Sequence, residues 1–464
     1  MLNSLIRSAL RYRMLVMLLS IAVMVFGAYL ATQMSIDVFP DLDRPRVVII
    51  TEAPGLATEE VETLVTQPIE IALMGANGVQ AVRSQTTAGL NVLYVEFDWT
   101  TEIRVARQTV SERLATLEGV LPADIRPQMT PPSSIMGQIV IAGIYRQEGP
   151  QGGQLAAIGD TRFVAEKQKV GVGQHLNVWE VADRHNPKSW KPVPFEISDE
   201  LHSPVGESTE VVSLRIENNQ YDVQFPSPES QLLELRTLAD WVIRPRLLKV
   251  NGVAEVFMQG GDRKQYQVLI DPTALLEFDV TVQDVSRALR ASNINTSGGF
   301  AVTGETERPI RILGRLGPNS ADVIKELQSV PISNNPKRSV LLEQVATVVA
   351  GPEFKRGDGA INGQSGIVFT VVKQPHIDTR TLTDNIATAF AEVEASLPAD
   401  VVINSGLFRL KNFIDRGIFN VAEALMVGAV LVVVVLFLFL LNFRTTFITL
   451  TAIPMSLVMT TLVF

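Results

Sequence analysis

The 464-residue sequence contains no cysteine, so neither a disulfide framework nor a thiolate metal site can form, and the chain suits oxidising and reducing compartments alike. It also lacks an excess of basic residues. A formal charge of −9 and a pI near 5.2 exclude the basic face of a nucleic-acid binder. No G-x-x-x-x-G-K-[ST] loop is present to cradle a nucleotide phosphate, and Gly171-Val172-Gly173 lacks the third glycine of a dinucleotide turn. Neither G-x-S-x-G nor H-E-x-x-H occurs. Carboxylate pairs such as Glu59 with Glu60 stand at helix starts, where the dipole favours acids. Enzymatic chemistry has no foothold, and no cofactor is expected.

Long uncharged runs are what the sequence has instead. Ala424 to Phe443 offers 20 uncharged residues, the length an α-helix needs to cross a bilayer core of roughly 30 Å; the plainer alternative is a buried soluble helix. Met14 to Thr32 and Phe447 to Phe464 are two further runs. Arg7, Arg11 and Arg13 before the first keep the N-terminus cytoplasmic, and Arg444 in the short stretch NFRTT suits a cytoplasmic turn. The middle of the chain then lies outside, in the periplasm of a two-membrane bacterium. A cleaved signal peptide is the rival for the first run, but the run is too long and no A-x-A site follows.

After the first span, Asp37, Asp41 and Asp43 cluster around two prolines, as a cation-attracting lip or a solvated turn. Val47 to Ala53 reads as a strand, and a helix capped at Thr58 follows, reset at Pro68. Val79 to Thr86 and Leu90 to Trp99 form a hairpin turning at Ala88-Gly89. In its second arm Leu93, Val95, Phe97 and Trp99 alternate with polar neighbours. A helix over Thr101 to Glu118 carries the stripe Ile103, Ala106, Val110, Leu114 and Leu117. This succession, continued by a strand at Met136 to Tyr145, is that of a ferredoxin-like βαββαβ unit. A second set of elements repeats it: helix Glu229 to Val250, strands Val253 to Met258 and Gln265 to Ile270, helix Val280 to Ser292, strand Gly366 to Lys373 and helix Thr379 to Ala395. Two segments interrupt the repeat, a Pro/Gly-bounded, weakly periodic excursion at Arg146 to Ser227 and a small β-rich insertion at Asn293 to Gly351 with a brief helix near Ser320 to Leu327.

Metal-ligand candidates are few. His175, His185 and His202 share the first excursion, but their spacings match no local ligand motif, and a solvated loop explains them equally. Met129, Met136 and Met258 are soft donors or core filler. Glu423, just inside the outer end of the second span, is a functional intramembrane acid or an interfacial one.

Several stretches carry a resemblance to a known family: DVFPDLDRPRVVIITEAPGLATEEVETLVTQPIE, YVEFDWTTEIRVARQTVSERL, PPSSIMGQI, LRTLADWVIRPRLLKVNGVAEV and NFRTTFITLTAIPMSL. They resemble the N-terminal part of a resistance-nodulation-division (RND) efflux transporter of the heavy-metal-efflux branch. The resemblance implies a membrane protein with α-helical spans and an α+β periplasmic portion, in which a docking subdomain is inserted into the second of two ferredoxin-like porter subdomains. It divides the chain into a cytoplasmic 1–13, a first span 14–32, a first porter subdomain 33–135 with 399–418, and a second 136–292 with 351–398 that carries the 146–227 excursion. The docking subdomain is then 293–350, the second span 419–443, and 447–464 the start of a third.

The family works as a homotrimer with a periplasmic adaptor protein and an outer-membrane channel, and proton influx through fourth-span carboxylates drives it. Neither those carboxylates nor the family's methionine ligands fall in these residues, so a chain cut within its third span is expected to insert yet export nothing. Competing readings are an RND exporter of organic compounds and a periplasmic sensor or secretion-accessory protein; a sensor would continue into a cytoplasmic signalling region, whereas this chain starts another apolar run at once. Replacing 146–227 by a short turn is expected to leave the trimer folded.

Overall fold

The computed structural model describes residues 11–33, 44–132, 137–159, 162–170, 173–202, 209–292, 296–303, 306–312, 316–317, 320–332, 339–353 and 357–463. Arg7, the Asp37, Asp41 and Asp43 cluster and Met136 lie outside them. Helix α1 (Arg13–Gln33) is apolar over almost its whole length and almost wholly exposed.

The first α+β module begins with β1 (Arg46–Glu52), which buries alternate residues. Helix α2 follows as Thr58–Val61, a π-turn over Glu62–Thr66, and Gln67–Met74. Its cap is Ala57 rather than Thr58: the Glu60 carboxylate reaches back to accept the Ala57 N–H at 2.8 Å, which makes Thr58 the first helical residue. Pro68 explains the π-turn, because it has no N–H for the Leu64 carbonyl and its ring crowds that carbonyl until the turn widens. The hairpin β2 (Val79–Thr87) and β3 (Leu90–Phe97), helix α3 (Ile103–Ala115) and β4 (Gln128–Met129) complete a sheet ordered β2-β3-β1-β4. Its inner face, with Ile49, Leu93 and Phe97, packs on Val65 and Ile69 of α2 and Val110 of α3.

Strand β5 (Gln138–Arg146) opens the second module and leads into the excursion. There β6 (Gln154–Ala157), β7 (Phe163–Val170), β8 (Gly173–Glu180) and β9 (Lys191–Pro192) make one sheet, and β10 (Glu196–His202), β11 (Glu210–Ile216) and β12 (Asn219–Phe225) make another. Ile158, Ala165 and Val178 of the first sheet face Leu214, Val223 and Phe225 of the second. The excursion is thus a β-domain with its own core, not the weakly periodic loop expected from sequence. Its signal is hidden because β7 is covered on both faces, from Val164 to Lys167. Two of those buried residues are charged but satisfied: Glu166 accepts from Gln151 N–H, Gly153 N–H and the Trp179 indole at 3.0, 2.8 and 2.6 Å. Lys167 reaches Glu210 at 2.8 Å and ties the two sheets together.

Helix α4 comprises Pro228–Leu238, a second π-turn over Ala239–Ile243 just ahead of Pro245, and Arg244–Leu248. Strand β13 (Val253–Gln259) then leaves for a third module: β14 (Lys264–Ile270), α5 (Pro272–Phe278), α6 (Val282–Ser292), the hairpin β15 (Thr296–Thr303) and β16 (Thr306–Ile312), α7 (Ser320–Gln328) and β17 (Ala346–Pro352). Strand β14 pairs with β17, and Leu275, Val285, Val323 and Val348 share one core. The boundary expected at 293 therefore moves back to β14. A strand's sequence does not reveal its partner, and this partner comes late in the chain.

The second module resumes with β18 (Ala360–Ile361), β19 (Gln364–Lys373), α8 (Thr379–Glu394) and β20 (Val401–Arg409), in a sheet ordered β13-β19-β5-β20. Strand β20 lies on β5, so the expectation that 399–418 belongs with the first module is corrected; β4 already occupies the equivalent edge of β1. Helix α9 (Leu410–Leu440) continues from β20 without a loop. At about 46 Å it exceeds a bilayer core, and its first turns, expected in the first porter subdomain, are ion-paired to α8. A left-handed Leu441 turns the chain, Asn442 Oδ1 accepts the Arg444 N–H at 3.1 Å, and α10 (Phe443–Val463) follows. Arg444 thus begins a helix rather than filling a loop. The Arg13–Leu30 stretch of α1 and α9 are long and apolar enough to cross a membrane. In the second sheet β5 and β13 run antiparallel to β20 and β19. The β-domain and the third module therefore both leave from the end opposite to α9.

Candidate functional site

A cleft of about 680 Å³ opens where the modules meet, lined by Glu52 at the end of β1, Arg236 of α4, Met258 to Gly261 and Arg263 at the exit toward β14, and Glu353, Gly357 and Asp358 on the return. Its back wall is backbone against backbone. Gly260 has φ +85°, and a Cβ there would stand 2.5 Å from the Gly366 carbonyl oxygen and 2.6 Å from the Gly359 nitrogen. A Cβ on Gly359 would stand 2.6 Å from the same oxygen. Side chains at these points would push the two crossings apart.

Charge in the cleft is paired. Arg236 donates from Nε to Asp240 Oδ2 at 3.1 Å and from a terminal nitrogen to the Gly260 carbonyl at 2.8 Å. Arg263 donates to the same Asp240 oxygen at 3.4 Å and lies 3.7 Å from Glu353. Two guanidiniums thus share one carboxylate, while Glu52 and Asp358 add negative charge at the exposed mouth. This arrangement fixes the path into and out of the third module. Among the described residues no group of three or more His, Cys, Asp or Glu side chains is placed to hold a metal ion.

A second cluster lies at the root of the β-domain. The Arg146 guanidinium pairs with Asp400, which is fully buried, and with Glu234 of α4 at 2.6 Å. Arg146 Nε and Asp400 Oδ1 have no partner among the described residues. Burial pushes the Glu234 carboxyl up from its ordinary value although half its side chain meets solvent; Arg146 opposes the shift and Asp400 adds to it.

The histidines are placed separately. His175 is exposed on β8, and His202 ends β10 in the other sheet, with its side chain outside the described set. His185 stands in the turn before β9, with Nε2 3.4 Å from Glu394. Met129 packs half-buried on the first core, and Met258 both packs on the second core and lines the cleft. Glu423 is exposed on α9. Arg236, Asp240 and Arg263 escaped the sequence reading, for which the only local signal is the Gly260-Gly261 doublet after a strand.

The sequence profile described as the AcrB/AcrD/AcrF family matches residues 5–174 and 194–464. This chain is 31% identical over 463 residues to the nickel-cobalt-cadmium resistance protein NccA of Alcaligenes xylosoxydans xylosoxydans. It is 30% identical over 462 residues to the nickel and cobalt resistance protein CnrA of Cupriavidus metallidurans. Each comparison covers 98% of this chain but 38% of the relative. A crystal structure of a heavy metal efflux pump superposes with a TM-score of 0.73 over 99% of this chain and 38% of that one; at 23% identity this likeness speaks for the fold alone. The chain spans little more than a third of the length of these relatives. The resemblance to the heavy-metal-efflux branch of RND transporters is borne out, and the chain belongs to the AcrB/AcrD/AcrF family.

Proposed function

We propose that the chain forms the first membrane-anchored part of a proton-driven exporter of heavy-metal cations in a bacterial inner membrane. The observation that carries this reading is the pair of modules with one strand order, β2-β3-β1-β4 and β13-β19-β5-β20, borne on apolar helices in a chain whose relatives include nickel and cobalt resistance proteins. These are ferredoxin-like porter subdomains in the periplasm, and the third module, spliced between β13 and β19, is the docking subdomain. The whole pump is a homotrimer that hands its cation to an adaptor protein and an outer-membrane channel. Transport is secondary, by proton antiport, and needs ionisable groups inside the membrane; Ala424 to Phe443 carries none.

Deleting the gene and restoring it in full decides between metal and organic substrates. Renewed tolerance of nickel, cobalt, zinc or cadmium supports the reading; renewed tolerance of dyes or detergents alone overturns it. The 464 residues expressed by themselves should insert and fold yet leave metal accumulation unchanged.

A further inference from the structure

Residues 175–193 are the internal stretch that the family profile does not match, and several of the groups that fasten the β-domain to the end of α8 lie within it. Arg184 donates to the Glu394, Leu397 and Pro398 carbonyl oxygens at 2.7, 2.8 and 3.3 Å. A guanidinium there adds a donor to the turn after α8, where the Glu394 and Pro398 carbonyls already accept the Leu397 and Val401 N–H at 3.2 and 3.0 Å, and meets the negative end of the helix dipole. His185 faces Glu394, whose carboxylate also accepts the Ile403 N–H of β20 at 3.0 Å. Trp190 is 5% exposed, packs with Leu155, Val164 and Ala399, and is oriented by its indole N–H on the Asp183 carbonyl at 2.7 Å.

Helix α8 is held equally firmly at its other end. Arg380 bonds Asp415 of α9 at 2.8 Å, and Lys411 of α9 bonds both oxygens of Asp384 at 2.5 and 2.6 Å. The helix is thus a strut of about 24 Å, gripped by 175–193 at one end and by the first turns of α9 at the other. Strand β20 gives a second, covalent route, because it runs from Asp400 straight into α9.

We propose that residues 175–193 are a clip that makes the β-domain one mechanical body with α8 and, through α8, with the membrane helix α9, so that a displacement of the β-domain is felt at 410–416. Coupling of this kind is reciprocal. Hydrogen exchange of the full chain in lipid nanodiscs tests it, with 44–132 of the first module as the internal reference. Arg184→Ala should raise exchange several-fold at 175–193 and 395–403, and also at 379–384 and 410–416. In the other direction, Asp384→Asn with Asp415→Asn, which touches nothing in the β-domain, should raise exchange at 175–193. If Arg184→Ala loosens only 175–193, or the double variant leaves 175–193 at its original rate, the clip transmits nothing and the proposal fails. Should Arg184→Ala disturb the reference segment as well, the double variant alone decides.

Discussion

The first and second modules share a plan and differ in what they bury. Each runs strand, helix, strand, strand, helix, strand, and each widens its first helix by a π-turn two residues before a proline, Pro68 or Pro245. Beneath the π-turn the first module buries polar groups. Asn91 donates to Thr66 at 2.7 Å, Thr66 meets Thr86 at 3.0 Å, and Thr51 Oγ1 and Asn91 Oδ1 have no partner among the described residues. The second module is apolar there, with Ile243, Phe369 and Phe390 fully packed and the two rings edge to face at 6.3 Å. The second is also the one that carries both insertions, at the end of its sheet opposite to α9. A tightly packed apolar core tolerates long excursions at its connections because the cost of loop closure grows only slowly with length; the second module's own unpartnered atoms, Arg146 Nε and Asp400 Oδ1, lie at the root of the β-domain, whereas those of the first lie beneath its π-turn.

The comparison can be broken most forcefully in the second module. Asp400→Ala leaves Arg146 without its buried partner and should cost roughly 3–5 kcal/mol, seen as second-module unfolding at lower denaturant while 44–132 keeps its hydrogen-exchange protection. Next in size, Phe369→Ala should cost about 3–5 kcal/mol by emptying the core, whereas Asn91→Ala in the first module should cost about 1–2 kcal/mol, since its hydrogen bonds are already incomplete; equal losses would erase the distinction. Thr51→Val, which removes an orphaned buried hydroxyl without changing shape, should stabilise the first module by about 1 kcal/mol in the same assay.

Glu234 gives the smallest and most conditional effect. Its folded-state carboxyl is raised above its unfolded value by burial, so ionising it opposes folding: the penalty is absent below the unfolded value and complete above the folded one. Glu234→Gln should therefore raise the unfolding midpoint at neutral pH and lose that advantage as pH falls through the carboxylate range. An advantage that grows on acidification would contradict the assignment.

Most elements of the two modules were legible because one face of each is wet. The alternation in β3 and the stripe on α3 fixed both elements to within a few residues, and the inner positions Leu93, Val95, Ala106 and Val110 are buried as read. What failed was partnership. The sequence of Lys264–Ile270 suits either sheet, and only Ala346–Pro352 decides which it joins. Nothing within Val401–Arg409 specifies β5 as its partner either. The β-domain hid its strands because β7 is buried on both sides and keeps Glu166 and Lys167 inside, so no alternation marks it. The cleft was illegible because Arg236, Asp240 and Arg263 meet only after the chain has turned through Gly260.

The absence of cysteine makes the central claim, that all three modules and the β-domain stand outside the membrane on apolar helices, directly measurable. Single cysteines at Glu59, Lys188, Glu277 and Arg444, all exposed, can be challenged in outer-membrane-permeabilised cells with a membrane-impermeant maleimide. The account predicts labelling of the first three while the inner membrane is intact, and of Arg444→Cys only after that membrane is broken. Labelling of Arg444→Cys from outside, or protection of the other three, would contradict it.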